Sequence, residues 1–372
     1  MMIKVSRGCC GQEELDQVKE AFDYGYFGLA YKVNEFEQEI QKFIQTDREV
    51  ICTCNGTAAL HLALDAIGVS EGDEVILPSF TFVATAQAIS SCGANPVFVD
   101  VDEETMLIDI EDVRRKITDR TKAIVPVHYS GAVCDMEALL KIKEEYGIRI
   151  IEDAAHAFGS VYKGKKVGSF GDIACFSFDS IKVMTCGEGG CIITNDKDAA
   201  ELIRIKRLLG IDRKTMHTTD WKKRSWKYDV PVTGYRYHMS NINAAIGLAQ
   251  IKKLNGFIDY RKKVAKSYNS LLSDIPEIKL PVYDIDTITN FMYVIRVKNG
   301  KREELKQYLM DHDIESGISY IPCHTFSLYK GNNHLPATEK IYEELLCLPI
   351  HPEITESDLK EVSDRIHEFF RK

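Results

Sequence analysis

The chain has 372 residues, of which 45% are hydrophobic and 28% charged, and its formal charge is −9. That is the composition of a globular protein with room for two or three domains, and the acidic balance excludes a global basic field for nucleic acid or an anionic membrane. No apolar run approaches the ~18 residues of a membrane helix, and the opening MMIKVSRGCCGQEELD has no hydrophobic signal core, so a cytoplasmic protein without a membrane partner is expected.

In chain order, residues 13–24 read as a helix with no sheet of its own, an N-terminal arm (1–30) packed on the larger domain or on a partner chain. A large domain is expected over 31–250. Short Val-, Ile- and Phe-rich runs at 50–53, 74–77, 96–101, 123–127, 149–152, 174–178 and 191–194 read as seven strands. Amphipathic stretches at 58–67, 84–91, 136–146 and 199–209 read as helices between them. Such alternation predicts an α/β fold, a mainly parallel sheet sandwiched by helices.

Residues 211–233 break the pattern with six Lys/Arg and both tryptophans, and read as a basic surface or interface loop rather than a nucleic-acid site. Helices are then expected at 239–253, 260–272 and 356–370, with strands near 291–297 and 317–321, which makes a smaller α+β domain over 251–372. The eleven cysteines are scattered, with no Cys-x-x-Cys and no paired His spacing, so they suggest neither a disulfide framework nor a metal site.

Motifs narrow the chemistry further. There is no G-x-x-x-x-G-K-[ST] loop, no G-x-G-x-x-G after a strand, no G-x-S-x-G and no H-E-x-x-H. Three places offer another way to hold an anionic ligand or cofactor. Cys54-Asn55-Gly56-Thr57-Ala58 is a strand end, a glycine turn and a helix start, where backbone amides and the Thr57 hydroxyl make an anion site, or simply a helix cap. Glu152-Asp153-Ala154-Ala155-His156 puts a carboxylate at the end of an apolar strand, in the crevice where such folds bind ligands, or in a buried ion pair.

The third place is Phe176-Ser177-Phe178-Asp179-Ser180-Ile181-Lys182, followed by Gly187-Glu188-Gly189-Gly190. A lysine between two core strands loses solvation, which lowers its pKa as an imine-forming amine requires. A lysine, a strand-end carboxylate and a phosphate nest together describe a site for pyridoxal 5'-phosphate (PLP).

In this order and spacing the motifs are specific. They are N-G-T-A-A-L (55–60), E-G-D-E-V-I-L-P (71–78), F-T-F-V-A-T-A (80–86), P-V-F-V-D-V (96–101), P-V-H-Y-S-G (126–131), E-D-A-A-H-A (152–157), G-S-F-G-D (168–172), F-S-F-x-x-x-K (176–182), G-E-G-G (187–190) and N-A-A-I-G-L-A-Q (243–250). Over nearly its whole length the chain resembles fold-type I, PLP-dependent nucleotide-sugar aminotransferases of the DegT/DnrJ type.

The resemblance implies that PLP is bound covalently as an aldimine to Lys182, with Asp153 against the pyridinium nitrogen and Phe82 against the ring. Gly56, Thr57 and Ser177 would hold the phosphate, and His156 would approach the phenolic oxygen. Glu188 and His324 would line the substrate side. In Gly234-Tyr235-Arg236-Tyr237-His238-Met239 the family usually has Asn where Arg236 stands and Arg where His238 stands. That Asn reaches the neighbouring subunit's cofactor phosphate, and Arg236 is the candidate to replace it in a homodimer with shared sites. The implied reaction moves an amino group from L-glutamate to a keto carbon, C4 before C3, of a nucleotide-linked deoxysugar. The alternatives are the deoxygenating branch of the family, in which the lysine is typically histidine, and a PLP-binding regulatory protein without turnover.

Overall fold

A computed structural model describes residues 2–212, 228–331 and 333–371. Residues 213–227, the greater part of the basic stretch and the position of both tryptophans, lie outside the described residues. The first half holds strands β1 (Glu49–Thr53), β2 (Glu74–Pro78), β3 (Asn95–Val99), β4 (Thr121–Ile124) and β5 (Arg149–Asp153). A small hairpin follows, β6 (Val161–Tyr162) and β7 (Lys165–Lys166), then β8 (Ile173–Ser177) and β9 (Gly190–Thr194). Seven of these strands form one sheet in the order β1-β9-β8-β5-β4-β2-β3.

From β3 to β8 all pairings are parallel, while β9 runs antiparallel to both β8 and β1. The strand β1 therefore points the same way as β8 and β5. Their carboxyl ends, at Thr53, Ser177 and Asp153, meet at one end of the sheet, where open α/β sheets place ligands.

Alternation along each strand feeds two cores. Ile51, Ile173, Cys175 and Ile192 face one cluster with helices α3 (Gly56–Ala66), α4 (Ala84–Ser91) and α7 (Lys197–Lys206). Val50, Cys52, Ala174, Phe176, Cys191 and Ile193 face the other, filled by α2 (Tyr31–Ile44) and the long α8 (Asn241–Leu272). Farther along the sheet, Val113 of α5 (Ile110–Lys116) and Leu139 of α6 (Met136–Tyr146) pack on Ile76, Ile124 and Ile150. The fold class is thus the expected α/β sandwich with a mainly parallel seven-stranded sheet.

The helix α1 (Gln12–Tyr24) lies along α8, to which the Lys253–Glu14 ion pair at 2.5 Å ties it. Residues before α1 reach the opposite unit, where Ile3 bridges Ile314. The small unit is a three-stranded antiparallel sheet of β10 (Ile278–Lys279), β11 (Tyr293–Val297) and β12 (Leu345–Leu348). It is covered by α9 (Arg302–Asp311), α10 (Pro336–Glu344) and α11 (Glu356–Arg371).

Two expectations change here. The helices predicted at 239–253 and 260–272 are one helix of 32 residues, about 48 Å long at ~1.5 Å per residue. Its Ser240 cap supports the start, and the predicted junction at 250/251 falls inside it. The strand expected at 317–321 reduces to a single bridge between Gly317 and Cys347, because the chain there leaves the sheet for the carboxyl end of β2.

Candidate active site

The loop between β8 and β9 carries Lys182. Its base is closed by two bonds, Phe178 N to Gly189 O (2.8 Å) and Cys186 N to Phe178 O (2.9 Å). The start of α8 fastens its far side, where Asn243 Nδ2 donates to the Cys186 carbonyl at 2.7 Å. Within this frame Lys182 Nζ sits 4.5 Å over the Phe291 ring. Burial pushes its amine down to about 8, against the upward pull of Asp153 and Asp179. An amine so poised is a nucleophile near neutrality.

Asp153 closes β5 and is buried. Burial pushes its carboxyl up, while the Thr85 hydroxyl, the Ala155 amide and the Lys182 charge hold it down. Thr85 Oγ1 donates to Asp153 Oδ2 at 2.7 Å and Ala155 N to Oδ1 at 3.2 Å, so the carboxylate is fixed from two sides. A buried carboxylate with these donors near a lysine can hold a protonated ring nitrogen.

The phosphate candidates meet as the sequence suggests. Asn55 caps α3 through its side chain, and the first intrahelical bond is Ala59 N to Asn55 O, so the Gly56 and Thr57 amides precede the ladder and face outward. A Cβ on Gly56 would lie 2.8 Å from Ser177 Cβ, and one on Gly190 would lie 2.6 Å from the Asn55 carbonyl. Bare backbone at both positions lets Asn55–Thr57 lie against Ser177. Such a cradle of amide and hydroxyl donors can hold an anion.

His156 is buried, and both ring nitrogens are engaged: Ser130 N donates to Nδ1 (3.3 Å) and Nε2 lies 3.1 Å from Tyr320 Oη. Its ring stacks on Phe291 at 4.5 Å. Phe82 is 54% exposed, with its ring 5.5 Å from that of Tyr320 at the open side of the cleft.

The remaining candidates are Glu188, His324 and Arg236. Glu188 is exposed; partial burial and Asp179 raise its carboxyl, and its charge in turn acts on Cys54. His324 is buried and occupied: Nδ1 bonds Ser79 Oγ at 2.7 Å and Nε2 faces Glu339 at 3.4 Å. That network fixes the 323–325 turn to the end of β2. Arg236 is exposed, and its backbone bridges Leu208 beside the Cys54–Tyr237 bond (2.6 Å) at the end of β1.

Four neighbours of the site carry no role in the sequence reading: Thr85, Ser130, Phe291 and Tyr320. Thr85 stands inside F-T-F-V-A-T-A, where a threonine opening a helix was the available signal. Phe291 and Tyr320 come from the small unit, more than a hundred residues beyond Lys182, and no local pattern joins them to it. Arg261 of α8 holds Phe291 in place by donating to the Phe291 and Ile350 carbonyls, each at 3.0 Å.

Comparison with known proteins identifies the family. The sequence model of the DegT/DnrJ/EryC1/StrS aminotransferase family matches residues 9–367. The spore coat polysaccharide biosynthesis protein SpsC of Bacillus subtilis is 34% identical, over 97% of this chain and 95% of its own. The crystal structure of the aminotransferase TlmJ from Streptoalloteichus hindustanus superposes with a TM-score of 0.93 at 31% identity, covering 100% of this chain and 99% of TlmJ. The putative sugar aminotransferase Spr1654 of Streptococcus pneumoniae, solved in a PLP form and a PMP form, gives 0.90 and 0.91 at 27% identity. Each form is covered over 98% of this chain, and over 97% and 98% of its own length respectively.

Proposed function

Because the chain belongs to the DegT/DnrJ/EryC1/StrS aminotransferase family, we propose that it moves an amino group from L-glutamate to the C4 keto carbon of a nucleotide-linked deoxysugar. The product would serve amino-sugar synthesis for a surface polysaccharide or glycoconjugate, a reading supported by the likeness to SpsC. The observation that carries the reaction type is Lys182 Nζ, with its amine at about 8, over Phe291 and within reach of the Asp153 charge.

The residues present fit PLP: a cradle of donors at Asn55–Thr57 and Ser177, a buried carboxylate at Asp153, and an amine at Lys182. When bound, PLP supplies an electron sink that stabilises a carbanion at the substrate carbon. Asp153 would hold the proton on the ring nitrogen, with Thr85 and the Ala155 amide orienting its oxygens. Lys182 would anchor the cofactor and, once freed, carry the proton at Nζ to and from the reacting carbon. Gly56, Thr57 and Ser177 would bind the phosphate, and Phe82 would cover the ring and exclude water. Glu188 and His324 would line the substrate side, and we place Arg236 on the rim where a second subunit would meet the site.

The retained lysine favours amination over the deoxygenating alternative. The deciding experiment incubates the purified protein with glutamate and a panel of nucleotide 4-keto and 3-keto sugars, with product mass as readout. A 4-amino sugar from one member is expected. If no member yields an amino sugar, the proposal fails and a PLP-binding protein without turnover takes its place.

A further inference from the structure

The hydrogen bonds around His156 run in one direction. The Ser130 backbone N–H donates to His156 Nδ1, so that nitrogen carries no proton. Burial and the Lys182 charge push the imidazole well below its ordinary range, which keeps the ring neutral. A neutral ring with a bare Nδ1 carries its one proton on Nε2, and Nε2 is 3.1 Å from Tyr320 Oη. Tyr320 therefore accepts from His156, and its own O–H is left for a different acceptor.

Packing fixes that arrangement. Phe291 stacks on one side of the imidazole, and the Tyr320 ring lies within 23° of its plane at 5.9 Å. The fully buried Tyr129 donates through Oη to the Ser319 carbonyl, which pins the backbone ahead of Tyr320. Two bonds between Gly317 and Cys347 hold the segment to β12. On the cleft side the Tyr320 ring meets Phe82, and the charges of Asp153 and Asp179 both reach its hydroxyl.

We propose that Tyr320 is the oriented hydroxyl donor of this site: it accepts the Nε2 proton of His156 and turns its own O–H toward an anionic oxygen of the ligand beside Lys182. This inference rests on the PLP reading and deepens it. For the phenolate, it moves to Tyr320 a contact that the family resemblance implies for His156. Two oxygens share the required chemistry, the phenolate oxygen of PLP and a carboxylate oxygen of the amino donor, and the test separates them.

Tyr320→Phe keeps the ring and its stacking and deletes only the hydroxyl. In the PLP-loaded wild type, nitrogen-15 NMR of the His156 ring, assigned by its loss in His156→Gln, should show the Nε2–H tautomer. A ring protonated on Nδ1 overturns the proposal. If Tyr320 donates to the phenolate, Tyr320→Phe should raise the pH midpoint of the bound cofactor's absorption change by about one unit or more, the loss of a charge-assisted hydrogen bond. If it donates to the carboxylate, that midpoint stays and glutamate binding in the half-reaction should weaken about tenfold or more. A variant with both the midpoint and the glutamate affinity of wild type overturns the inference alone. A wild-type protein that takes up no PLP overturns the functional reading, and this inference with it.

Discussion

Thr85 Oγ1 donates to Asp153 Oδ2 at 2.7 Å, and both side chains are buried. The bond crosses from the first turn of α4 to the end of β5 and makes the carboxylate's ionisation depend on a neutral neighbour. Thr85→Val keeps the shape and removes the donor. A hydrogen bond to a charged group contributes about 1.5–3 kcal/mol, so the Asp153 carboxyl should rise by about one to two pKa units. The acid limb of the pH–rate profile should move up with it, which stopped-flow half-reactions with glutamate would read. An unmoved acid limb would mean that Thr85 only fills space.

Asp153→Asn tests the carboxylate itself. The variant should bind PLP and lose two or more orders of magnitude in turnover, about 3 kcal/mol of barrier, because an unprotonated pyridine is a poor electron sink. Near-normal turnover would remove Asp153 from the ring nitrogen.

The lysine carries a stability cost of known sign. Its folded-state pKa of about 8 lies below the 10.5 of an exposed lysine. Between those values the unfolded chain binds the extra proton, so this group's contribution grows as pH rises from about 8 toward 10.5. Below that window the buried ammonium destabilises the cofactor-free fold by about 3 kcal/mol. Lys182→Met should therefore raise the melting temperature of the cofactor-free protein at pH 7 while abolishing attachment. Borohydride reduction of the PLP-loaded wild type should place a pyridoxyl mass on the Lys182 peptide. A label on Lys163, Lys165 or Lys166 would overturn the assignment.

How much of this was legible in the chain follows from what lies close in sequence. The seven strands and four of the helices around them announce themselves, since a buried parallel strand must be an apolar run and its helix must alternate, but α2 and the seven-residue α5 were not read. Asp153, Ser177, Gly56 and Lys182 sit at the ends of such runs, so the topology brings them together once the sheet forms. The small unit was harder: β10 has two residues and β12 follows a helix directly, too little chain for a period to show. The break read between 253 and 260 is polar on the surface of α8 only, and Leu254, Phe257 and Ile258 keep the helix's buried face continuous. The setting of His324 was not legible either, because it is held by Ser79 and Glu339, partners distant in sequence or unmarked by any motif.

Gly190 tests the anion cradle. A Cβ there would stand 2.6 Å from the Asn55 carbonyl carbon and oxygen, both backbone atoms that cannot swing aside. Gly190→Ala must push Asn55–Thr57 away from Ser177, and overpacking of this kind costs about 1–3 kcal/mol. PLP affinity measured by equilibrium dialysis should fall about tenfold, since the phosphate loses its aligned amides. Unchanged affinity would move the phosphate end elsewhere.

The last prediction concerns Arg236 and a second copy of the chain. Its side chain is exposed at the carboxyl end of β1, while Tyr235 and Tyr237 on the other face stack on each other at 4.9 Å and flank His61. The backbone is thus anchored and the guanidinium is free to reach outward, a planar fork suited to a phosphate. If it serves the partner's site in a homodimer, Lys182→Ala and Arg236→Ala subunits should complement each other. A mixed dimer would then hold one site with both residues and one with neither. Random exchange makes about half of the dimers mixed, so activity should recover to about a quarter of wild type. If Arg236 serves its own chain, every mixed site lacks one residue and mixing restores nothing. That outcome, with exchange verified and Arg236→Ala clearly impaired, would place the arginine within its own subunit's site.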